Sequence, residues 1–250
     1  MTSVFRAKRT RRRESQLPLL YSGDHLDQEE FHRRYEAYPD DTRFELIGGI
    51  VYMMAPAGFE HGRSGFDLCG ILSMYEAATA GVVGVSGATV ILGDSSEPQP
   101  DVALLIEPDC GGQTRLKQIK HNQYIEGPPE LILEVSHSTV AIDLHAKRAD
   151  YHRAGVREYV VVCLAERKIR WFDLGANKEL AVDRKGILKS LVFPGLWIDV
   201  VALVSRNPDR LVTTLKRGIK TKEHARFVKE LAAKRQQLTI AGTDPQGDHS

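Results

Sequence analysis

Two carboxylates stand at the ends of two apolar runs in this chain of 250 residues. Glu134 lies near the end of the run 131–135, which follows a Gly-Pro-Pro turn and is typical of a buried strand. Asp101 opens a second apolar run that continues to Ile106. A carboxylate in such a strand is costly unless a cation or hydrogen bonds receive it. The two acids therefore indicate a divalent metal site, provided that the two strands are neighbours.

Carboxylate ligands that leave coordination positions open suit Mg²⁺ or Mn²⁺. Such an ion binds a scissile phosphate, stabilises its developing charge and lowers the pKa of a bound water. A nearby lysine can orient that water or neutralise the transition state, and Lys147 is the candidate for this role. Two acids and one lysine are common in any chain, so their types and spacing alone identify no reaction.

The segment 140–154 is predicted to be the helix that carries this lysine. Its buried stripe at helical spacing consists of Val140, Leu144, Tyr151 and Ala154, with Lys147 in the middle. Asp143 precedes Lys147 by four positions, which is also the spacing of an ion pair on a helix surface. The apolar neighbours favour a lysine that points inward to the carboxylates, and the surface pair is the alternative.

Composition restricts the class of protein. A hydrophobic content of 42% suits one α/β domain with extensions, and the formal net charge of +1 gives no general argument for nucleic acid. Three widely spaced cysteines (Cys69, Cys110 and Cys163) form no zinc or disulfide pattern, so we expect a reducing, cytoplasmic location. We expect no membrane association, since no apolar run reaches membrane-spanning length and the basic N-terminus lacks the apolar region of a signal peptide.

Charge divides the chain into three parts. Residues 1–23 are predicted to be a flexible leader, whose basic segment 6–13 could hold phosphates or simply be solvated. Residues 24–204 are predicted to form the folded domain. Residues 205–250 are predicted to be a charged helical extension with a disordered tail, either a contact for a partner or nucleic acid or a solvated appendage.

Several further elements follow from periodicity and turn signals. We predict a helix at 26–38 that Asp24 could cap, a hairpin at 44–54, a helix at 61–79 and one or two strands within 82–92. We also predict a long hairpin connection, polar and irregular, at 107–129, a central strand at 158–163 with a hairpin partner at 168–174, and edge structure at 187–201.

The motifs in combination resemble the Uma-type restriction endonuclease family of the PD-(D/E)XK nuclease superfamily. The resemblance covers roughly residues 26–204. It is carried by Pro100-Asp101, Glu134-Val135-Ser136, Asp143, Lys147, Tyr151 and 155–159, with 44–50 and His61 upstream and 193–196 downstream.

The resemblance implies an α/β (α+β) fold with a restriction-endonuclease-like core, in which a mixed β-sheet is flanked by helices and the active site lies at one edge. It implies Asp101 and Glu134 as metal ligands, the backbone carbonyl of Val135 as a further ligand, and Glu45 as another acid near the site. The activity implied is that of an endonuclease that uses Mg²⁺ (or Mn²⁺) to cut DNA, with Lys147 assisting the attacking water. A homodimer is also implied.

The chain departs from the superfamily pattern at Ser136, which stands where a lysine is expected two residues after the second acid. In the Uma-type group the lysine comes from the following helix, where Lys147 stands.

The supporting residues each have a simpler interpretation. Glu45 could pair with a surface base, His61 could only begin a helix, and Ser136 could be a turn or cap residue. Asp143 either orients Lys147 or merely pairs with it. Tyr151 fits the core, with its hydroxyl bonded near the site.

Two other classes of function compete with nuclease activity. One is an inactive or weak nuclease-fold module that binds nucleic acid or a protein. The other is a glycosidase, which would need aromatic residues around its acids, whereas Trp171 and Trp197 are distant from them in sequence.

Overall fold

The computed structural model describes residues 17–39 and 42–242, with side chains to residue 240. The basic segment 6–13 and residues 243–250 lie outside the described residues, so the predictions for them remain predictions. The disordered tail was predicted to begin at Leu238, but residues 238–242 are helical. None of the helices in the described parts of the chain combines the length and the apolar character that a membrane span requires.

Thirteen strands and six α-helices make up the described chain. The strands are β1 (Phe44–Ile47), β2 (Ile50–Met53), β3 (Val82–Ser86), β4 (Val90–Ile91), β5 (Val102–Ile106), β6 (Arg115–Ile119), β7 (Asn122–Glu126), β8 (Leu131–Ser136), β9 (Glu158–Cys163), β10 (Lys168–Asp173), β11 (Lys178–Glu179), β12 (Ile187–Lys189) and β13 (Trp197–Asp199). The helices are α1 (Gln28–Tyr35), α2 (Phe59–Ala77), α3 (Arg148–Ala154), α4 (Val200–Val204), α5 (Pro208–Ile219) and α6 (Lys222–Gly242), with a 3₁₀ turn at Pro108–Cys110 and a π-helical turn at Ile142–Lys147.

A six-stranded sheet in the order β11-β10-β9-β8-β5-β3 forms the centre of the fold. Strands β8 and β9 run parallel, and the other neighbours pair antiparallel. The prediction of a mixed sheet flanked by helices is therefore confirmed. Strand β9 is central and buried along its whole length, as its consecutive apolar residues predicted, because both of its faces are covered.

The two faces of this sheet carry different layers. Because successive side chains of a strand point to opposite faces, Leu131 and Leu133 pack with α2, whereas Ile132 lies on the face of α3 together with Tyr151. Helices α5 and α6 also contribute to the first layer, through Leu211, Leu215 and Leu231. Glu134 belongs to the second face, where it meets the helix that follows β8.

The chain between Val140 and Ala154 is helical throughout, as predicted, but its middle is a π-helical turn. In an α-helix, each step of four residues turns the side-chain direction by about 40° around the helix axis. The wider π turn offsets this rotation, so Asp143, Lys147 and Tyr151 are all buried on the side of the sheet. Such turns are frequent at functional sites.

Two predictions of local structure were wrong. The cap of α1 is Asp27, whose carboxylate accepts from the Glu30 amide at 2.8 Å, whereas Asp24 accepts from Tyr21 at 2.9 Å in the preceding turn. The connection 107–129 joins the antiparallel neighbours β5 and β8, as predicted for a long hairpin connection, but it is not irregular, because it contains the β6–β7 hairpin, and β7 pairs parallel with β4. Its strands are largely solvent-exposed, so they lack the apolar alternation that announces a strand.

Residues on both sides of the predicted folded domain pack against it. Leu20 is buried with Phe31 and Phe44, and the His224 ring on α6 lies 2.9 Å from the Thr79 hydroxyl at the end of α2. The boundaries at residues 23 and 204 remain predictions.

Candidate active site

The register of the central sheet brings the two predicted metal ligands together. Val102 of β5 pairs with Leu133 of β8, so the next step of this antiparallel pair places Asp101 opposite Glu134. The Val135 amide donates to Asp101 Oδ2 at 2.7 Å, and the Asp101 amide lies 3.4 Å from Glu134 Oε2. Both carboxylates therefore lie at the same edge, where β8 ends and β5 begins.

Lys147 reaches this edge from the π-helical turn. Its Nζ lies 2.9 Å from Glu134 Oε1, 2.8 Å from Glu45 Oε2 and 3.8 Å from Asp143 Oδ1, and its side chain is only 2% exposed. The prediction that Lys147 points inward is confirmed, and the alternative of an ion pair on the helix surface is wrong. The aliphatic part of the side chain lies on the apolar stripe that predicted its direction.

Glu45 enters the site from β1 rather than pairing with a surface base. One carboxylate oxygen contacts Lys147, and the other accepts from the Gln99 amide at 2.8 Å. Gln99 lies two residues before Asp101, so Glu45 also holds the segment that leads into β5. Its side chain is 2% exposed, and Oε2 accepts no hydrogen bond among the described residues, so its burial is compensated by the charge of the ammonium.

The two oxygens of Glu134 have different surroundings. Oε1 accepts from Lys147 and from the Tyr151 hydroxyl, at 2.9 and 3.0 Å. Oε2 faces Asp101, and its 3.4 Å contact with the Asp101 amide is at the long end for a hydrogen bond. Burial raises the pKa of Glu134; Lys147 opposes this effect, and Glu45, Asp101 and Asp143 add to it by repulsion.

The same charges determine the protonation state of Lys147. Burial by itself lowers the pKa of Lys147, but Glu134, Glu45 and Asp143 outweigh it and raise this pKa above the ordinary lysine value. Lys147 is therefore an ammonium ion at any physiological pH. It cannot act as a proton acceptor, and its effect on the site is that of a fixed positive charge.

Carboxyl groups outnumber cations in this cluster. Glu45, Glu134 and Asp143 lie around one ammonium, and Asp101 lies beside Glu134 and His61. Burial and the neighbouring carboxylates raise the pKa of Glu134 to about 8, so a proton occupies this acid at neutral pH when no further cation is bound. Buried or partly buried charges of this kind are normally paired or bound to metals. A divalent cation fits the excess charge, and the oxygen-only donor set of Asp101 and Glu134 is the type that Mg²⁺ and Mn²⁺ prefer.

His61 lies at the open side of the cluster. It belongs to the first turns of α2, and its Nε2 is 3.1 Å from Asp101 Oδ1. The bond to Asp101 raises the pKa of His61 against the effect of burial, and the backbone of Val135 raises it further. The imidazole is therefore close to both the Asp101 carboxylate and the backbone of Val135. The side chains of His61 and Asp101 are 29% and 24% exposed, so a substrate can approach from this side.

Ser136, Thr139 and Asp143 form a series of polar contacts that leads to Lys147. The Thr139 hydroxyl donates to Asp143 Oδ2 at 2.7 Å, and the buried Ser136 hydroxyl lies 3.4 Å from that of Thr139. Sequence reasoning missed Thr139. The available signal was a threonine just before the helix with an acid four residues later, a pattern in which a hydroxyl fixes a carboxylate of the first turn.

Tyr159 was also missed as a site residue. It is fully buried beside Tyr151, at 5.0 Å between ring centroids, and its hydroxyl has no hydrogen-bond partner among the described residues. Burial raises the pKa of Tyr159, and the site carboxylates, with Glu134 foremost, raise it further. The phenol is therefore a neutral donor close to the site.

A second set of potential metal ligands lies elsewhere. Glu107, Asp109 and Cys110 have ligand atoms within 4.8 Å of one another. Arg235 of α6 pairs with both carboxylates of this set, at 2.9 Å between its Nε and Asp109 Oδ2. The guanidinium compensates one of the two negative charges and lies against both carboxylates, so a metal ion would have to displace it.

Comparison with solved structures supports the fold. A protein from Anabaena variabilis ATCC 29413, described as "a putative nuclease belonging to DUF820", is similar to this chain with a TM-score of 0.51 and 13% identity. The match covers 69% of this chain and 96% of the other. At this identity the likeness concerns the fold alone. A comparison with curated proteins finds no match.

The family model Uma2, described as "Putative restriction endonuclease", matches residues 28–201. These residues include every side chain of the cluster described above and the whole central sheet. The match extends over more than half of the chain and supports nuclease function in general; the protein belongs to the Uma2 family.

Proposed function

We propose that this protein is a metal-dependent endonuclease that hydrolyses phosphodiester bonds in DNA. Asp101, Glu134 and the backbone carbonyl of Val135 are the ligands of a Mg²⁺ or Mn²⁺ ion. The observation that carries the proposal is the excess of carboxylates over the single ammonium of Lys147 at one edge of the sheet. Membership of a family described as nucleases makes a phosphodiester the natural substrate.

A bound ion of this type supplies charge stabilisation for the phosphate and a water of lowered pKa. The protein supplies an asymmetric set of ligands. Glu134 Oε1 is occupied by Lys147 and Tyr151, whereas Oε2 faces Asp101 on the open side. Asp101 is partly exposed and thus accessible to substrate, while Glu134 is held in place from the interior. The oxygens that are free of Lys147 and Tyr151 therefore lie on the side of Asp101, where the cluster is partly exposed.

Lys147 has donor capacity left for a water. An ammonium carries three N–H donors, and Glu134 Oε1 accepts one of them at 2.9 Å. Glu45 Oε2 lies 2.8 Å from the ammonium as an ion pair but accepts no directed hydrogen bond among the described residues, and Asp143 at 3.8 Å is too distant for one. In our proposal a remaining donor orients the attacking water, and the positive charge stabilises the negative charge that develops on the phosphate.

The remaining residues position these groups. Glu45 and Asp143 hold the ammonium, Thr139 holds Asp143, and His61 holds the partly exposed oxygen of Asp101. These are positioning roles in the proposal. A homodimer that cuts both strands is consistent with it as well.

The test is cleavage of supercoiled plasmid and single-stranded DNA in Mg²⁺, in Mn²⁺ and in EDTA. We expect cutting by the wild type in either metal and none in EDTA. Asp101→Asn and Glu134→Gln should lower the rate by about 100-fold or more, since each removes a metal ligand. Asp109→Asn is the matched control, because it removes the same type of charge from the second acidic set.

Two results would overturn the proposal. A folded wild-type protein that binds DNA but cuts it under no condition would favour the binding module. Loss of activity in Asp109→Asn, with Asp101→Asn unaffected, would move the metal to the set near Arg235.

A further inference from the structure

A cleft of about 450 Å³ opens beside the candidate active site. It lies at the carboxyl ends of the parallel strands β8 and β9, the position where ligands bind in sheets of this kind. Its walls are α2, the turn after β8, the turn between β9 and β10, and the end of α4. We call it the basic cleft.

The basic cleft and the active site are built on the same elements. Glu60 in the wall of the cleft precedes His61 on α2, and His137 in its wall follows Ser136 at the end of β8. The two sites are therefore neighbours along both α2 and β8.

The lining combines an apolar floor with a positively charged rim. Val162, Leu164 and Leu203 form part of the floor. The cations of the rim are Arg167, Lys168 and Arg206, against Glu60 as the single acid among the lining residues. An apolar floor suits the face of a nucleobase, and a cationic rim suits its phosphate.

We infer that the basic cleft binds one unstacked nucleotide of the substrate strand, next to the phosphodiester that is cut. This inference rests on the proposed function, and it adds a substrate class. A base can enter the cleft only when it has left the helical stack, so single-stranded or locally opened DNA binds better than continuous duplex.

Arg167 is the main phosphate contact of the cleft. Among the described residues its guanidinium donates to the Val204 carbonyl, at 3.4 Å, so most of its five N–H donors remain for a ligand. Arg206, by contrast, pairs with Glu60 across the cleft. Glu60 both occupies this second arginine and repels a phosphate.

The experiment measures binding of a fluorescein-labelled 12-nucleotide DNA strand and of the corresponding duplex by anisotropy. It is run in Ca²⁺ and in EDTA at several salt concentrations, so binding is read without cleavage. Four variants accompany the wild type: Arg167→Asn, Glu60→Gln, Ser64→Leu and Lys120→Asn. Arg167 and Lys120 both have positive φ, of 52° and 51°, so the Lys120 variant is matched in charge and in backbone conformation.

We expect the wild type to prefer the single strand. Arg167→Asn should weaken its binding about tenfold and reduce the salt slope by about 0.7, the loss of one phosphate contact to a single strand. Ser64→Leu, which fills part of the cleft without a change of charge, should also weaken it. Glu60→Gln should tighten binding about two- to fivefold, because it removes a repulsive charge and releases Arg206. Lys120→Asn should bind as the wild type does.

Each result that contradicts the inference would refute a different part of it. Equal binding of the single strand by wild type, Arg167→Asn and Ser64→Leu would overturn the role of the cleft, whether or not the enzyme cuts DNA. A wild type that binds duplex as tightly as the single strand would overturn the unstacked nucleotide. Cleft-dependent binding without metal-dependent cutting would support the cleft and refute the proposed nuclease activity.

Discussion

Replacement of Lys147 by methionine tests the charge balance of the site. The substitution keeps much of the side-chain volume but removes the ammonium that lies 2.8 Å from Glu45 and 2.9 Å from Glu134. Breaking a buried ion pair leaves uncompensated charge, which costs about 3–5 kcal/mol. For a chain of this length each kcal/mol shifts the melting temperature by about 2–4 °C, so we expect a fall of about 6–20 °C at pH 8.

The deficit of Lys147→Met should depend on pH. Burial raises the pKa of Glu134 from 4.5 to about 8 although Lys147 opposes the rise, so removal of the ammonium raises this pKa further. A carboxyl group with a raised pKa in the folded state holds more protons than it does in the unfolded state, and its contribution to stability decreases as pH rises from 4.5 through the raised pKa. Up to about pH 8 this decrease is common to the wild type and the variant, so the two differ only as pH rises from about 8 through the higher pKa of the variant. The deficit of the variant should therefore be nearly constant from pH 5 to pH 7 and grow above pH 8.

The assay is thermal unfolding of both proteins between pH 5 and pH 10. Lys117→Met is the control, since Lys117 forms an exposed pair with Glu126, and such pairs are worth about 0–1 kcal/mol. A Lys147→Met protein that melts within 1 °C of the wild type at pH 8, or whose deficit does not grow above pH 8, would refute the reasoning.

Three further predictions concern positions around the site and in the fold. Tyr151→Phe keeps the ring but removes the 3.0 Å donor to Glu134, and should lower the free energy of unfolding by about 1–2 kcal/mol in urea. His32→Gln should flatten the pH dependence of melting above pH 6.5, because Glu97 raises the pKa of His32; the stability from this pair is fully present below pH 6.5 and is lost as pH rises through the raised pKa. Gly195→Ala should destabilise the protein by about 2–5 kcal/mol, because Gly195 has a φ of +91° and a Cβ there would lie 2.9 Å from the Gly218 carbonyl oxygen. Gly70→Ala on α2 is the control: its Cβ would meet open space, so this variant should be neutral or stabilising. Equal stability of Tyr151→Phe and wild type, an unchanged pH profile in His32→Gln, or a Gly195→Ala protein as stable as Gly70→Ala would each contradict the corresponding argument.

The sequence predicted the central sheet well because its strands have a strong signal. The segments that became β5, β8 and β9 are short apolar runs between turn residues, and the hairpin of β9 with β10 followed from adjacent strand patterns. The β6–β7 hairpin was missed for the opposite reason. Its side chains are mostly exposed, so it depends on pairing with β4 and has little pattern of its own.

Within the site, periodicity was sufficient to orient Lys147 but not to find its full surroundings. An apolar stripe predicts which side of a helix is buried, and the structure places the ammonium there. The π-helical turn has no simple sequence pattern, so the exact alignment of Asp143 with Lys147 could not be foreseen. The contact of Glu45 with Lys147 joins β1 to the helix after β8, and local sequence carries no information on such a distant pair.

The most direct test of the account is the binding of Mn²⁺ to the purified protein, measured by isothermal titration calorimetry. We expect about one ion per chain at the site of Asp101 and Glu134, with affinity reduced by about 10- to 100-fold or more in Asp101→Asn and in Glu134→Gln. Asp109→Asn should bind as the wild type does. If the wild type binds no ion, or if the Asp101 and Glu134 variants bind it as tightly as the wild type, the metal site that we propose at the edge of the sheet does not exist.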